Sequence, residues 1–339
     1  MKKAAVLSIL VAFVLFALAV QIEAQLPKNV YRLGYLSSGT GAPANDPGFG
    51  VFRQRLQEFG YVEGQNLVIE TRYAKLNNRR LPDLAAELVN LKVDVILTTP
   101  DEPTIRAAQS ATRTIPVVMP GSVTDPLAAT VWAGKHHEPL VVSLAKPGGN
   151  FTGLSNFASV LHPKRLELLI EAFPRISRVA ILWPRAQQQK QTLKDIDVVR
   201  QALGIEIQSL ATGTLKDFAS ALSAMSQKSP DALLVARSQV TLTHRNRVID
   251  FAAKKRLPSI FAERLFVVDG GLMSYDADGQ DLYRRAATYV DKILKGTKPS
   301  ELPIEQPMKF DFVINLKVAN QLGLTIPPNV LVRANRVIK

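Results

Sequence analysis

The side chains equipped for chemistry in this chain are hydroxyls, carboxylates and a few cations, and they recur where apolar runs end. Ser37 and Ser38 follow the run from Tyr31 to Leu36, Thr98 and Thr99 close the run from Val93, and Thr124 and Asp125 come soon after Met119. Trp183 ends a run from Arg178, Arg237 and Ser238 follow Ala236, Glu263 follows Phe261 and Asp276 follows Tyr275. Hydroxyls and an arginine suit a ligand carboxylate, the arginine through a two-pronged fork. Asp125, Glu263 and Asp276 suit an ammonium group, and Trp183 offers a ring for stacking. Each position also has a plainer role. Ser37 and Ser38 serve equally as a turn or cap, Thr124 and Asp125 as helix caps, Trp183 as a buried ring, and Arg237 as a solvated cation.

Covalent, metal and redox chemistry are poorly served. The chain has no cysteine and four histidines. His136-His137-Glu138 lacks a spacing that brings two imidazoles to one metal, and reads as a solvated loop. His162 and His244 lie at or near helix starts and read as surface residues. There is no Gly-x-Ser-x-Gly elbow and no histidine paired with a nucleophile. Gly39-Thr40-Gly41 lacks the third glycine and prompt helix of a dinucleotide site. The expectation is a non-enzymatic binding site with no catalytic residue, cofactor or metal.

Residues at the ends of apolar runs converge only if those runs are parallel strands. The runs Tyr31–Leu36, Leu67–Tyr73, Val93–Thr98 and Ile115–Met119 alternate with helix-period segments at Phe49–Phe59, Leu81–Leu91 and Thr104–Ala111. The pattern restarts with strands at Arg178–Trp183, Glu206–Leu210, Ala232–Ala236, Ser259–Phe261 and Leu272–Tyr275. The intervening helices are Pro163–Phe173, Lys190–Leu203, Leu215–Gln227 and Leu242–Lys255. Doubly buried strands with helical crossovers predict α/β architecture: two doubly wound parallel-sheet lobes. The turn Lys146-Pro147-Gly148-Gly149-Asn150 predicts the boundary. One lobe is then residues 25–150 plus about 277–305, the other 151–276 plus about 306–339, joined by a multi-strand hinge. In the tail, a long helix near 278–295, an extended stretch Pro299–Pro307, a short helix near Leu316–Leu322 and a strand at Asn329–Val332 are expected.

Ahead of the lobes, Lys2 and Lys3 precede an apolar run from Ala4 to Val20 and then Gln21-Ile22-Glu23-Ala24. That is the order of a secretory signal peptide cut after Ala24, shorter than the roughly 20 apolar residues of a spanning helix. The expectation is a periplasmic protein starting at Gln25. The formal charge of +13 is spread in ones and twos, as in Arg79-Arg80, Lys254-Lys255-Arg256 and Arg284-Arg285, without interleaved aromatics. It reads as a solvated basic surface and not a nucleic-acid site.

Six stretches carry a resemblance: Phe59 to Leu67 (FGYVEGQNL), Arg80 to Leu88 (RLPDLAAEL), Lys146 to Leu154 (KPGGNFTGL), Gly270 to Tyr275 (GGLMSY), Asp281 to Gly296 (DLYRRAATYVDKILKG) and Leu322 to Pro328 (LGLTIPP). From about Tyr31 to the C-terminus, in order, they resemble the ABC-transporter substrate-binding proteins of the tryptophan/tyrosine-binding type, a branch of the type I periplasmic binding proteins. The resemblance implies two lobes, joined by about three crossings, that close on a small-molecule solute and deliver it to an ABC permease in the inner membrane. A small carboxylate-bearing ligand, an amino acid or aromatic acid, and a monomer are expected. The chain departs from the family pattern at the insertion Leu127–Val142, at Asp101-Glu102 and at Asp276-Ala277-Asp278, all near the expected cleft. A sensory binding protein that presents its ligand to a receptor or kinase is the second reading, and an exported α/β enzyme the third.

Overall fold

The structure, a computed structural model, describes residues 30–41, 47–122, 126–127, 130–132, 135–156, 161–183, 189–212 and 214–339. The leader, Thr124 and Asp125 lie outside the described residues.

The first series is β1 (Tyr31–Ser37), α1 (Pro47–Glu58), β2 (Leu67–Tyr73), α2 (Leu81–Asn90), β3 (Val95–Thr98), α3 (Glu102–Ala111) and β4 (Val117–Ser122). A hairpin, β5 (Thr130–Trp132) and β6 (Lys135–His137), occupies the inserted segment before β7 (Phe151–Ser155). Helix α2 shows why the alternation works. Leu81, Leu84, Ala85 and Leu88 recur on one helical face and are buried, and each enclosed leucine stabilises the fold by about 1.5–3 kcal/mol.

The second series runs α4 (His162–Ala172), β8 (Arg178–Trp183), α5 (Gln189–Leu203), β9 (Glu206–Ala211), α6 (Leu215–Lys228) and β10 (Ala232–Val235). It continues with α7 (Gln239–Thr243), α8 (Arg245–Lys254), β11 (Ser259–Phe261), α9 (Arg264–Val268) and β12 (Met273–Ala277). The tail supplies α10 (Gly279–Leu294), β13 (Ile304–Glu305), β14 (Phe310–Asn315), α11 (Leu316–Leu322), α12 (Pro328–Leu331) and β15 (Arg336–Ile338).

Two large sheets result, in the orders β13-β7-β4-β3-β1-β2 and β15-β14-β12-β11-β10-β8-β9. Pairing is parallel throughout, except that β14 runs antiparallel to β12. Each sheet is cored on both faces. Strand order reverses between β1 and β3 in one sheet and between β8 and β10 in the other. Those are the switch points beyond whose carboxyl ends ligands bind in open α/β sheets.

Three expectations are corrected. The turn at Lys146 to Asn150 does not end the first sheet: β7 follows it and pairs with β4 and β13, so the chain leaves only after Ser155. Between Leu242 and Lys255 there are two helices that meet at His244, the C-cap of α7 and N-cap of α8. Asn329–Val332 is helical: Pro328 sits in the first turn of α12, where its missing N–H costs nothing, and the closing strand is β15. The chain passes between the sheets after β7, after β12 and after β13.

Candidate functional site

On the first sheet, the candidate wall is organised by a carboxylate. Asp101 is the N-cap of α3, its Oδ1 accepting the Thr104 amide at 3.1 Å and the Thr104 hydroxyl at 2.8 Å. Its Oδ2 accepts from Ser38 Oγ at 2.8 Å and from Thr99 Oγ1 at 2.5 Å. Thr99 also accepts the Ser38 amide at 3.4 Å. The amide and dipole of a helix start favour an anion, and the chain has put its own there. The Ser38 hydroxyl spends its proton on Asp101 and keeps lone pairs toward the cavity it lines, while Thr99 Oγ1, also 3.0 Å from the Thr104 hydroxyl, is taken up within the network. Ser37 is buried and its Oγ accepts the Gly39 amide at 3.0 Å, which makes it a turn residue. Thr98 is fully buried, its Oγ1 without a hydrogen-bond partner among the described residues.

On the second sheet, the wall is built from ion pairs. Arg237, just past β10, donates from Nε to Glu263 Oε1, and its two terminal nitrogens make no hydrogen bond among the described residues. Burial works against the Arg237 charge, yet Glu263 and Asp276 more than compensate and hold its pKa above the usual arginine value. Ser238 caps α7, accepting the Thr241 amide at 3.0 Å. Beneath this wall, the fully enclosed Arg165 of α4 donates Nε to the Tyr275 carbonyl at 2.7 Å and Nη2 to Asp276 Oδ1 at 3.4 Å. Burial pushes Arg165 down to about 10, against the pull of Asp276. Burial likewise raises Asp276 above the usual carboxylate range, with Arg237 and Arg165 opposing and Glu263 adding.

His162 corrects the surface reading made from its place at a helix start. It is 5% exposed, and burial followed by the Arg165 charge holds its pKa well below the usual value. Arg165 Nη1 lies 2.9 Å from His162 Nδ1. Guanidinium has no acceptor, so Nδ1 accepts and the ring proton is on Nε2. His162 meets Trp183 edge-on at 5.4 Å between centroids. Trp183 is 2% exposed and belongs to the core with Val179 and Ile181; it does not present its ring to the cleft.

Two adjoining cavities open between the walls. One of about 310 Å³ is lined by Ser38, Asn78, Asp101, Arg237, Ser238 and Glu263 among others. The other, about 610 Å³, is lined by Asn156, Arg237, Glu263, Asp276 and Asp278, with Leu265, Leu282 and Tyr283 as apolar surface. Arg237 and Glu263 border both. The volumes suit a small organic ligand. Gly121 lines the larger cavity at φ +129°, where an added Cβ would stand 2.8 Å from Leu282 Cδ1. Of the residues expected from sequence, Ser38, Arg237, Ser238, Glu263 and Asp276 converge on this space. Thr99 supports Asp101, while Ser37, Thr98 and Trp183 are buried behind the walls. Asn78, Asn156 and the organising role of Asp101 were missed; Asp101, one residue before Glu102-Pro103, carries a cap signal in the sequence, as does Asp278, the N-cap of α10, in a stretch already marked as near the cleft.

Residues 42–338 match the family described as ABC transporter substrate binding protein. The chain belongs to that family. A tyrosine-binding protein of Clostridioides difficile (strain R20291) is 26% identical over 265 residues, covering 78% of this chain and 73% of the relative. Among solved structures, an ABC domain in complex with L-Trp from Streptococcus pneumoniae superposes with a TM-score of 0.77 at 26% identity, covering 92% of this chain and 100% of that one. A conserved domain protein from Vibrio cholerae gives 0.76 at 27% identity, with 91% and 100% covered. Two lobes with facing switch points are thus the architecture of a substrate-binding protein. Among the described residues no helix is long and apolar enough to cross a membrane, and no cluster of His, Cys, Asp and Glu is arranged to hold a metal ion.

Proposed function

We propose that this chain is the periplasmic solute-binding component of an ABC uptake transporter, and that it takes a small carboxylate-bearing solute into the interlobe cleft without transforming it. The observation that carries the reading is Arg237: a guanidinium fixed through Nε to Glu263, bordering both cavities, with terminal nitrogens that make no hydrogen bond among the described residues. Pre-orientation of this kind suits a two-pronged hold on a carboxylate. The L-Trp complex and the tyrosine-binding relative support an amino acid as the solute class. Contacts made to both walls at once are available only when the lobes close, so the solute shifts the population toward the closed shape, and that shape is what a permease reads. The chain acts as a monomer after removal of residues 1–24.

The test is a thermal-shift screen of Gln25–Lys339 against amino acids and aromatic acids, since a ligand that binds only the folded state raises the melting temperature by mass action. A rise with one class supports the reading; a flat panel, with no solute in the denatured extract of the purified protein, rejects it. N-terminal sequencing of the exported protein is expected to begin at Gln25.

A further inference from the structure

The chain as a whole and its cleft carry opposite charge. Lysine and arginine exceed aspartate and glutamate by 13 over the sequence. Around the two cavities, among the described residues, the carboxylates of Asp101, Glu102, Glu263, Asp276, Asp278 and Asp311 face the guanidiniums of Arg237 and Arg264. Two buried arginines behind the walls, Arg106 near Glu102 and Arg165 near Asp276, still leave carboxylates in excess. Charges on the outer surface are screened over about 8–10 Å in physiological salt, so a bound solute responds to the cleft.

An independent observation points the same way. Asn156 is 5% exposed and lines the larger cavity, and its Oδ1 is buried with no hydrogen-bond partner among the described residues. A buried acceptor without a donor is costly, and a ligand N–H relieves it. On the same first-sheet wall, Ser38 has committed its proton to Asp101 and likewise accepts. The carboxylates, Ser38 and Asn156 Oδ1 accept, and against them the lining sets the guanidiniums of Arg237 and Arg264 and the side-chain amides of Asn78 and Gln280 as donors. The apolar surface of Leu265, Leu282 and Tyr283 suits an aliphatic stem between charged ends.

We propose that the solute is an amino acid of net positive charge, with one carboxylate and at least two amine or guanidine groups. Its carboxylate sits on the terminal nitrogens of Arg237, and its cationic groups face the carboxylates and Asn156 Oδ1. The inference rests on the reading that this cleft binds a carboxylate-bearing solute, and names the class. Asp101 is then a specificity-determining residue: it fills the anion seat at the start of α3 with the chain's own charge and repels a second ligand carboxylate.

The experiment is isothermal titration of Gln25–Lys339 with L-lysine, L-ornithine and L-arginine, with L-tryptophan and L-tyrosine, and with L-glutamate, at about 50 and about 500 mM NaCl. A basic amino acid binding tightest, more weakly at the higher salt, is the expected result. Asp101→Asn retains a capping acceptor and is expected to weaken that binding roughly tenfold, as loss of one charge contact at a half-buried site does. Asp311→Asn on the other wall is expected to act in the same direction and serves if the first variant fails to fold. Binding of tryptophan or tyrosine in preference to every basic amino acid overturns the inference and leaves the solute-binding reading standing. So does unchanged affinity for basic amino acids in both variants. No binding by any member of the panel overturns both.

Discussion

The two walls of the cleft solve the same problem with different chemistry. The first-sheet wall holds one carboxylate, Asp101, with one amide and three hydroxyls. Every donor to Asp101 is neutral, so no cation on this wall matches its charge, while the neighbouring Glu102 lies 3.7 Å from the buried Arg106. The second-sheet wall matches charge with charge, Arg237 to Glu263 and Arg165 to Asp276. Neutral donors can be lost one at a time at modest cost, whereas removing one member of a buried ion pair strands the other. The first wall is therefore built to set charge, and the second is built to be rigid.

The strongest way to break this contrast is Arg165→Met. It takes the ion-pair partner from buried Asp276 and a donor from the Tyr275 carbonyl, and a loss of about 3–5 kcal/mol is expected, read as a fall in melting temperature of roughly 10 °C. A variant that melts like wild type would show that the second wall does not depend on its pairs. Next, Arg237→Ala removes a partly exposed cation that borders both cavities and leaves the buried carboxylate of Glu263 without its partner. Stability should fall, by less than in Arg165→Met because Glu263 opens onto the cavities, while solute affinity falls by about 2 kcal/mol, roughly thirtyfold, as loss of charge-assisted hydrogen bonds predicts. Titration calorimetry separates the two effects, and equal affinity would remove Arg237 from the site.

Asp101→Ala tests the first wall, where the loss should be smaller, about 1–2 kcal/mol for the missing cap, measured by urea unfolding. A loss as large as that of Arg165→Met would erase the difference between the walls. The smallest effect at neutral pH concerns His162. Its pKa is lowered in the fold, so its contribution is present above the unfolded value of about 6.5 and is lost as pH falls from there toward the folded pKa. The melting temperature should drop more steeply between about pH 6.5 and pH 5 in the wild type than in His162→Gln; parallel curves would assign the acid sensitivity elsewhere.

The βαβ alternation was legible because doubly buried strands read as continuous apolar runs and their crossovers read at the helical period. Strand ends were therefore legible too, and with them Ser38, Arg237, Ser238, Glu263 and Asp276. Which way a side chain points at a strand end was also available, and was misread at Trp183. Along β8 it shares its parity with Val179 and Ile181, which are core residues of one cluster, while Ala180 and Leu182 belong to another; period two sends the indole into the core. What could not be read was partnership. Nothing local links Asp101 to Ser38, 63 positions away, or Arg165 to Asp276, 111 away. Such pairs exist only once the sheets are assembled. The helix at Pro328 was missed for a local reason: an apolar run of three residues, Val330 to Val332, is too short to show its period, and the proline at its start was the better signal.

The three passages of the chain between the sheets have a consequence for the order of assembly. The first sheet takes its outer strand from Ile304–Glu305, long after Ser155, and the second takes its outer strand from Arg336–Ile338, long after Ala277. A chain emerging from its N-terminus therefore carries neither sheet in finished form until these late segments have followed. Pairings of such long sequence separation slow folding. The arrangement that ties the two lobes together also defers completion of both, so that neither half is finished much ahead of the other.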